Sequence, residues 1–76
     1  MSERPENELK KLSEIAADMK LPADLRRKAI EQLGVISTHD ALLALLDIAA
    51  NENLVNKERD LALKQAREVI KKTSPQ

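Results

Sequence analysis

Apolar side chains recur every three or four residues along most of the chain, which is the spacing of an amphipathic α-helix. The first such stretch covers about residues 5–20, and the second begins at Pro22. A proline suits the first position of a helix because its missing N–H would find no partner there, and a glycine suits the left-handed conformation that ends one. The second helix is therefore predicted to begin at Pro22 and to end with Gly34 as its C-cap.

The third stretch follows Ser37 and Thr38, either of which can cap a helix by accepting a hydrogen bond from an amide of the first turn. Its body, ALLALLDIAA at residues 41–50, carries one charged side chain. The apolar arc of this segment is wider than the single stripe of a surface helix. We therefore expect a central helix that its neighbours contact on several sides.

The rest of the chain completes the prediction of four helices and an all-α fold. Residues 51–53 are predicted to form a loop, Asn56 a helix cap, residues 57–72 the last helix and residues 73–76 a disordered tail. No alternation of apolar and polar residues predicts a strand. Outside the third helix, the residues expected to face the core include Met19, Leu25, Ala29, Ile30, Leu33, Leu61, Ala62, Ala66, Val69 and Ile70.

The chain repeats itself after 33 residues. With that shift, the 24 positions from residue 9 to residue 32 contain nine identities. The identical pairs are Leu9 and Leu42, Leu12 and Leu45, Ile15 and Ile48, Ala16 and Ala49, Ala17 and Ala50, Leu21 and Leu54, Arg26 and Arg59, Ala29 and Ala62, and Gln32 and Gln65.

The repeat predicts how the helices are organised. Repeat one covers about residues 5–34 and repeat two about residues 38–72, and each is predicted to be an antiparallel helical hairpin. Two similar hairpins packed side by side would make the start of an α-solenoid. At this length the whole chain, residues 1–76, is expected to form a single domain with one small core.

The run LRRKAIEQLGVISTHDALLALL, residues 25–46, resembles the HEAT-repeat pattern, especially the short HEAT-like repeats of the phycobilisome-lyase type. The matching positions are Leu25, Arg26, Ala29, Leu33, Gly34, Ile36, Ala41 and Leu42. The second copy keeps Arg59, Ala62 and Leu63, but it has Glu58 for the aliphatic residue, Ala66 for the leucine and Arg67 for the glycine. The resemblance implies an α-solenoid that binds other molecules, and it brings no catalytic residues with it.

Arg26 and Arg59 occupy the recurrent arginine position of that family. We expect each of these side chains to span its repeat and to cap a helix or pair with a neighbour such as Asp18 or Asp60.

Composition narrows the chemistry that the chain can perform. It has no aromatic residue on which a base or a cofactor ring could stack, and its single glycine cannot make a phosphate-binding loop. Without cysteine and with one histidine, it lacks the means for a disulfide or a zinc site. Ser37, His39 and Asp40 lie too close in sequence to converge as a triad. We expect no catalytic residue, cofactor, metal or small-molecule substrate, and hence no enzyme.

The chain is expected to be cytoplasmic and not to enter a membrane. Its N-terminus is polar, no apolar run is long enough to cross a bilayer, and the absence of cysteine suits a reducing compartment.

The 13 basic and 13 acidic side chains are unevenly divided among the predicted helices. The first and third helices together carry a net charge of −4, and the second and fourth together carry +4. In an α-solenoid these pairs form opposite layers, so an acidic partner could meet the basic layer. The candidate contacts there are Arg26, Arg27, Lys64 and Arg67.

The leading hypothesis is a non-catalytic protein–protein interaction or scaffold module that binds a partner or itself. Solenoid units usually need three or more copies to bury their faces, so two copies leave apolar side chains such as Leu43 and Leu63 to cover. One alternative is a nucleic-acid-associated protein that uses the basic layer, although the segment THDALLALLDIAA would make a poor recognition helix because it is apolar and acidic. The other is an accessory subunit of an enzyme such as a pigment lyase, which rests on analogy with the family.

Overall fold

The computed structural model describes residues 5–73, with side chains from Glu8 onward, and this part of the chain is helical apart from its connections. Its four helices are α1 (Pro5–Ala17), α2 (Ala23–Ile36), α3 (His39–Ala49) and α4 (Asn56–Thr73). No strand occurs among the described residues. The prediction of an all-α fold with four helices is confirmed.

The first helix ends three residues earlier than predicted. The side chain of Asp18 accepts a hydrogen bond from the amide of Lys20 (2.9 Å), and the carbonyl of Asp18 accepts one from the amide of Leu21 (3.1 Å). These bonds form a turn that competes with the helix for the same backbone groups. Pro22 then precedes α2 as its N-cap.

The start of α3 agrees with the sequence, whereas the end of α2 and the start of α4 differ from it. Thr38 caps α3 by accepting a hydrogen bond from the amide of Ala41 (3.1 Å). Ser37, with φ 56° and ψ 34°, is the left-handed C-cap of α2, so the prediction for Gly34 was wrong. Asn56 is not a cap either, because it is the first residue of α4 and Val55 supplies the carbonyl that accepts the first amides of that helix.

Consecutive helices pack against each other, and the two pairs pack together. α1 contacts α2, and α3 contacts α4. Between the pairs, α2 contacts α4 and α3, and α1 contacts α3. α3 therefore has neighbours from all three other helices, as its broad apolar arc predicted, and α2 has the same number.

One core of small and medium aliphatic side chains runs through these contacts. Its buried members are Leu9, Ala16, Ala29, Ile30, Leu33, Ala41, Leu45, Ile48, Leu54, Ala62, Ala66 and Val69. Met19, Leu25 and Ile70, which were expected in this core, are close to half exposed. The molecule measures 39 × 35 × 16 Å, and so flat a shape leaves many side chains without a neighbour on one side.

The predicted disordered tail, residues 73–76, is tested only at its first position. Thr73 is the last residue of α4, and its hydroxyl donates a hydrogen bond to the carbonyl of Val69 (2.9 Å). Residues 74–76 lie outside the described part of the chain.

Candidate interaction site

A buried ion pair joins the first half of the molecule, α1 and α2, to the second half, α3 and α4. Arg26 on α2 donates from Nε to Oε1 of Glu58 (3.0 Å) and from Nη2 to Oε2 of Glu58 (2.9 Å), and Nη1 donates to the carbonyl of Leu21. The two residues are 7% and 1% exposed. This two-point geometry is the strongest kind of arginine–carboxylate contact.

Asp18 and Asp60 were the expected partners of Arg26 and Arg59. Neither carboxylate accepts a hydrogen bond from these two arginines. Because Glu58 accepts hydrogen bonds from the charged guanidinium, the pKa of Arg26 lies above its ordinary value, although burial opposes this shift. The charge of Asp18 adds a smaller effect in the same direction. The sequence signal for Glu58 is its departure from the repeat, since it is a charged residue at a position where the first copy has the apolar Leu25.

A second close contact between the halves explains the single glycine. A side-chain carbon added at Gly34 would overlap the side chain of Gln65, lying only 2.9 Å from its Cδ. Gly34 is buried within α2, and Gln65 lies on α4. The glycine therefore allows α2 and α4 to approach each other, rather than ending a helix.

Arg59 occupies the position of Arg26 in the second half but has different contacts. Its Nε donates to the carbonyl of Ala49, the last residue of α3, at 2.8 Å. This bond satisfies a carbonyl that the end of a helix leaves unpaired. Among the described residues, the two terminal amino groups of Arg59 make no further hydrogen bond or ion pair, and the side chain is partly exposed.

Five positions that are buried in the first half are exposed or only partly buried in the second. In the first half, these buried residues are Leu9, Ala16, Arg26, Ile30 and Gly34. Their equivalents are Leu42, Ala49, Arg59, Leu63 and Arg67, all of them exposed or only partly buried. We call these five residues the open α3–α4 face. Leu63, at its centre on α4, is 42% exposed.

Five other positions show the opposite difference, being more buried in the second half than in the first. Leu45, Ile48, Glu58, Leu61 and Gln65 are buried or partly buried, and their equivalents in the first half are Leu12, Ile15, Leu25, Lys28 and Gln32. We call these last five residues the open α1–α2 face. They line an apolar groove of about 190 Å³ together with Ala29.

The six residues proposed as partner contacts do not lie together on one surface. Arg26 is buried in its ion pair with Glu58, so it does not lie on the surface with the other candidate contacts. Arg27 is exposed and pairs with Asp24 in the first turn of α2. Leu43 lines a different groove, of about 390 Å³, between α1 and α3. Leu63 and Arg67 lie one turn apart on the open α3–α4 face, and Lys64 is exposed beside Leu63 on α4.

The basic excess of the second and fourth helices belongs to α4 alone. Outside the buried pair, α2 carries two basic and two acidic side chains, whereas α4 carries six basic and two acidic ones. Any attraction for an acidic partner is therefore concentrated on one helix, which also contributes Arg59, Leu63 and Arg67 to the open α3–α4 face.

Other kinds of site find little support in the described part of the chain. No group of three or more His, Asp or Glu side chains there could hold a metal ion. None of the described helices has the length and apolar character needed to cross a membrane.

No protein-family model matches the chain, and no curated protein or solved structure matches it either. The resemblance to HEAT repeats therefore depends on the residues of this chain alone.

Proposed function

We propose that this chain is a non-catalytic interaction module made of two HEAT-like repeats, α1–α2 and α3–α4, stacked as the start of an α-solenoid. The internal repeat of 33 residues supports this organisation. So do the contacts within each pair of helices and between α2 and α4. In this proposal, the open α3–α4 face binds a protein partner.

The observation that carries the proposal is the unequal burial of equivalent residues. Ile30 is fully buried, whereas its equivalent Leu63 is 42% exposed. Burying a Leu or Ile side chain is worth about 1.5–3 kcal/mol, so a cover for Leu63 would stabilise the complex.

The experiment compares two substitutions in the folded chain. Leu63→Glu places a charge at the centre of the open α3–α4 face. Val35→Glu is the matched control, because Val35 is 68% exposed on α2 and its equivalent in the second half is already a glutamate, Glu68. Circular dichroism establishes that both variants remain helical.

Proteins captured from a lysate with the immobilised wild-type chain are purified and titrated individually against the wild type and the two variants. Removing a central interface contact costs on the order of 2 kcal/mol or more. We therefore expect Leu63→Glu to weaken binding at least ~10-fold and Val35→Glu to leave it unchanged. If every captured protein bound Leu63→Glu as tightly as the wild type, the proposed binding face would be wrong.

A further inference from the structure

The contact between the two halves is a template for what fits the open α3–α4 face. From it we infer that this face accepts an acidic helical hairpin of another protein, with one carboxylate bound by Arg59 and a second facing Arg67. This inference rests on the proposed function, because it names the chemistry of the partner at the same surface.

Arg59 lacks the carboxylate that the equivalent arginine of the first half binds. Its equivalent, Arg26, holds the two oxygens of Glu58, which belongs to the helix packed on it. Arg59 has only the carbonyl of Ala49 as a hydrogen-bond acceptor among the described residues. A guanidinium can bind a carboxylate at two points, and a hairpin that covers this face without supplying a carboxylate would bury a positive charge with no counter-charge.

Arg67 presents a long charged side chain at a position where the first half has a glycine. Its equivalent, Gly34, lies so close to Gln65 that even one added carbon would overlap that side chain. The exposed Arg67 cannot allow a neighbouring helix the same approach. A partner helix must stand further from α4 at this point, which leaves room for a carboxylate where Gln65 stands in the internal contact.

A second copy of this chain does not fit as the occupant. If the open α1–α2 face of one copy stacked on the open α3–α4 face of another, Leu25 would stand where Glu58 stands in the internal contact. Gln32 would face Arg67, and Lys28 would bring a further positive charge. This arrangement would bury one cation without a partner and place like charges together.

The test gives the chain's own open α1–α2 face the missing carboxylates. The triple variant Leu25→Glu/Lys28→Gln/Gln32→Glu supplies them at the positions equivalent to Glu58 and Gln65, and it removes the lysine that would neutralise them. Leu25, Lys28 and Gln32 are all exposed, so the fold should survive, and circular dichroism checks this. The readout is the weight-average mass from sedimentation equilibrium over a range of concentrations.

The triple variant should associate head to tail, raising the mean mass at the highest concentration by at least about twofold over the 8.5 kDa chain. The wild type and the Lys28→Gln control should remain at the mass of one chain. Adding Arg59→Gln to the triple variant should abolish the association, and high salt should weaken it.

Two results would overturn the inference: a folded triple variant that stays monomeric, or a wild-type chain that stacks just as well without the carboxylates. Either result is compatible with a natural partner whose binding is weakened by Leu63→Glu. In that case the proposed function would stand, and only the inference of an acidic hairpin would be wrong. Conversely, an associating triple variant without any such partner would support the chemistry of the face and contradict the proposed function.

Discussion

The α1–α2 and α3–α4 halves contain equivalent residues in different surroundings. Arg26 is buried and bound to a carboxylate, while Arg59 is partly exposed and binds a backbone carbonyl. Ile30 is buried and Leu63 is half exposed. Equivalent positions of the repeat therefore share a residue type, whereas the packing around each half decides whether they are buried.

The two halves differ in sequence at two repeat positions that contribute to the contact between them. Glu58 stands where the first half has Leu25, and it binds Arg26. Gly34 stands where the second half has Arg67, and it allows Gln65 to approach. A strictly identical repeat would have had neither contact. The departures from the repeat are therefore as informative as the identities.

The largest loss of stability is expected when Glu58 is replaced. Removing one member of a buried ion pair leaves the other charge buried without a partner, which typically costs about 3–5 kcal/mol. A loss of that size approaches the whole stability expected of so small a domain, so Glu58→Ala should unfold most of the chain at room temperature. Glu58→Gln keeps the shape of the side chain and gives a second, milder test. Urea unfolding followed by circular dichroism measures both variants.

The control for this prediction is Leu25→Ala at the equivalent, exposed position, which should change the free energy of unfolding by less than about 1 kcal/mol. The double replacement Arg26→Met/Glu58→Leu should recover most of the stability, because apolar side chains can replace a buried ion pair. A Glu58→Gln variant as stable as the wild type would show that the pair does not hold the halves together.

The next effect compares Ile30 with Leu63 directly. Ile30→Ala removes fully buried carbons and leaves a cavity, so it should lower the free energy of unfolding by about 2–5 kcal/mol. Leu63→Ala removes a side chain that is 42% exposed and should cost less than half as much. Chemical denaturation of the isolated chain measures both losses. Equal losses would mean that the isolated chain already covers Leu63, for example by self-association, and would end the contrast between the halves.

The sequence predicted the number and type of the helices well, because apolar spacing, the prolines and the cap at Thr38 are local signals. It was less successful wherever contacts between distant residues decide the outcome. Gly34 carries a helix-ending signal, yet it lies inside α2, where the side chain of Gln65 on α4 occupies the space beside it. Leu25 has helical spacing, but no element packs over it.

The candidate contact residues show the same contrast between local signals, which the sequence carries, and contacts between distant residues, which it does not. Leu63 and Arg67 were predicted as surface contacts, and both are exposed on α4. Arg26 was placed with them because it belongs to the basic layer of the second and fourth helices. Its partner, Glu58, is 32 residues away in the sequence, so the pair becomes evident only when the two halves are packed together.

The smallest of these effects concerns the spacing between α2 and α4. Gly34→Leu forces bulk against Gln65 and should cost about 1–3 kcal/mol, whereas Arg67→Leu at the equivalent exposed position should change stability by less than about 0.5 kcal/mol. Gly34→Ala should be close to neutral, because its better helix propensity, worth about 1 kcal/mol, offsets the displacement of a flexible glutamine side chain. Thermal unfolding of the three variants distinguishes these outcomes. If Gly34→Leu were as stable as the wild type, the glycine would not set the distance between the helices, and the argument that Arg67 keeps a partner helix at a greater distance would lose its basis.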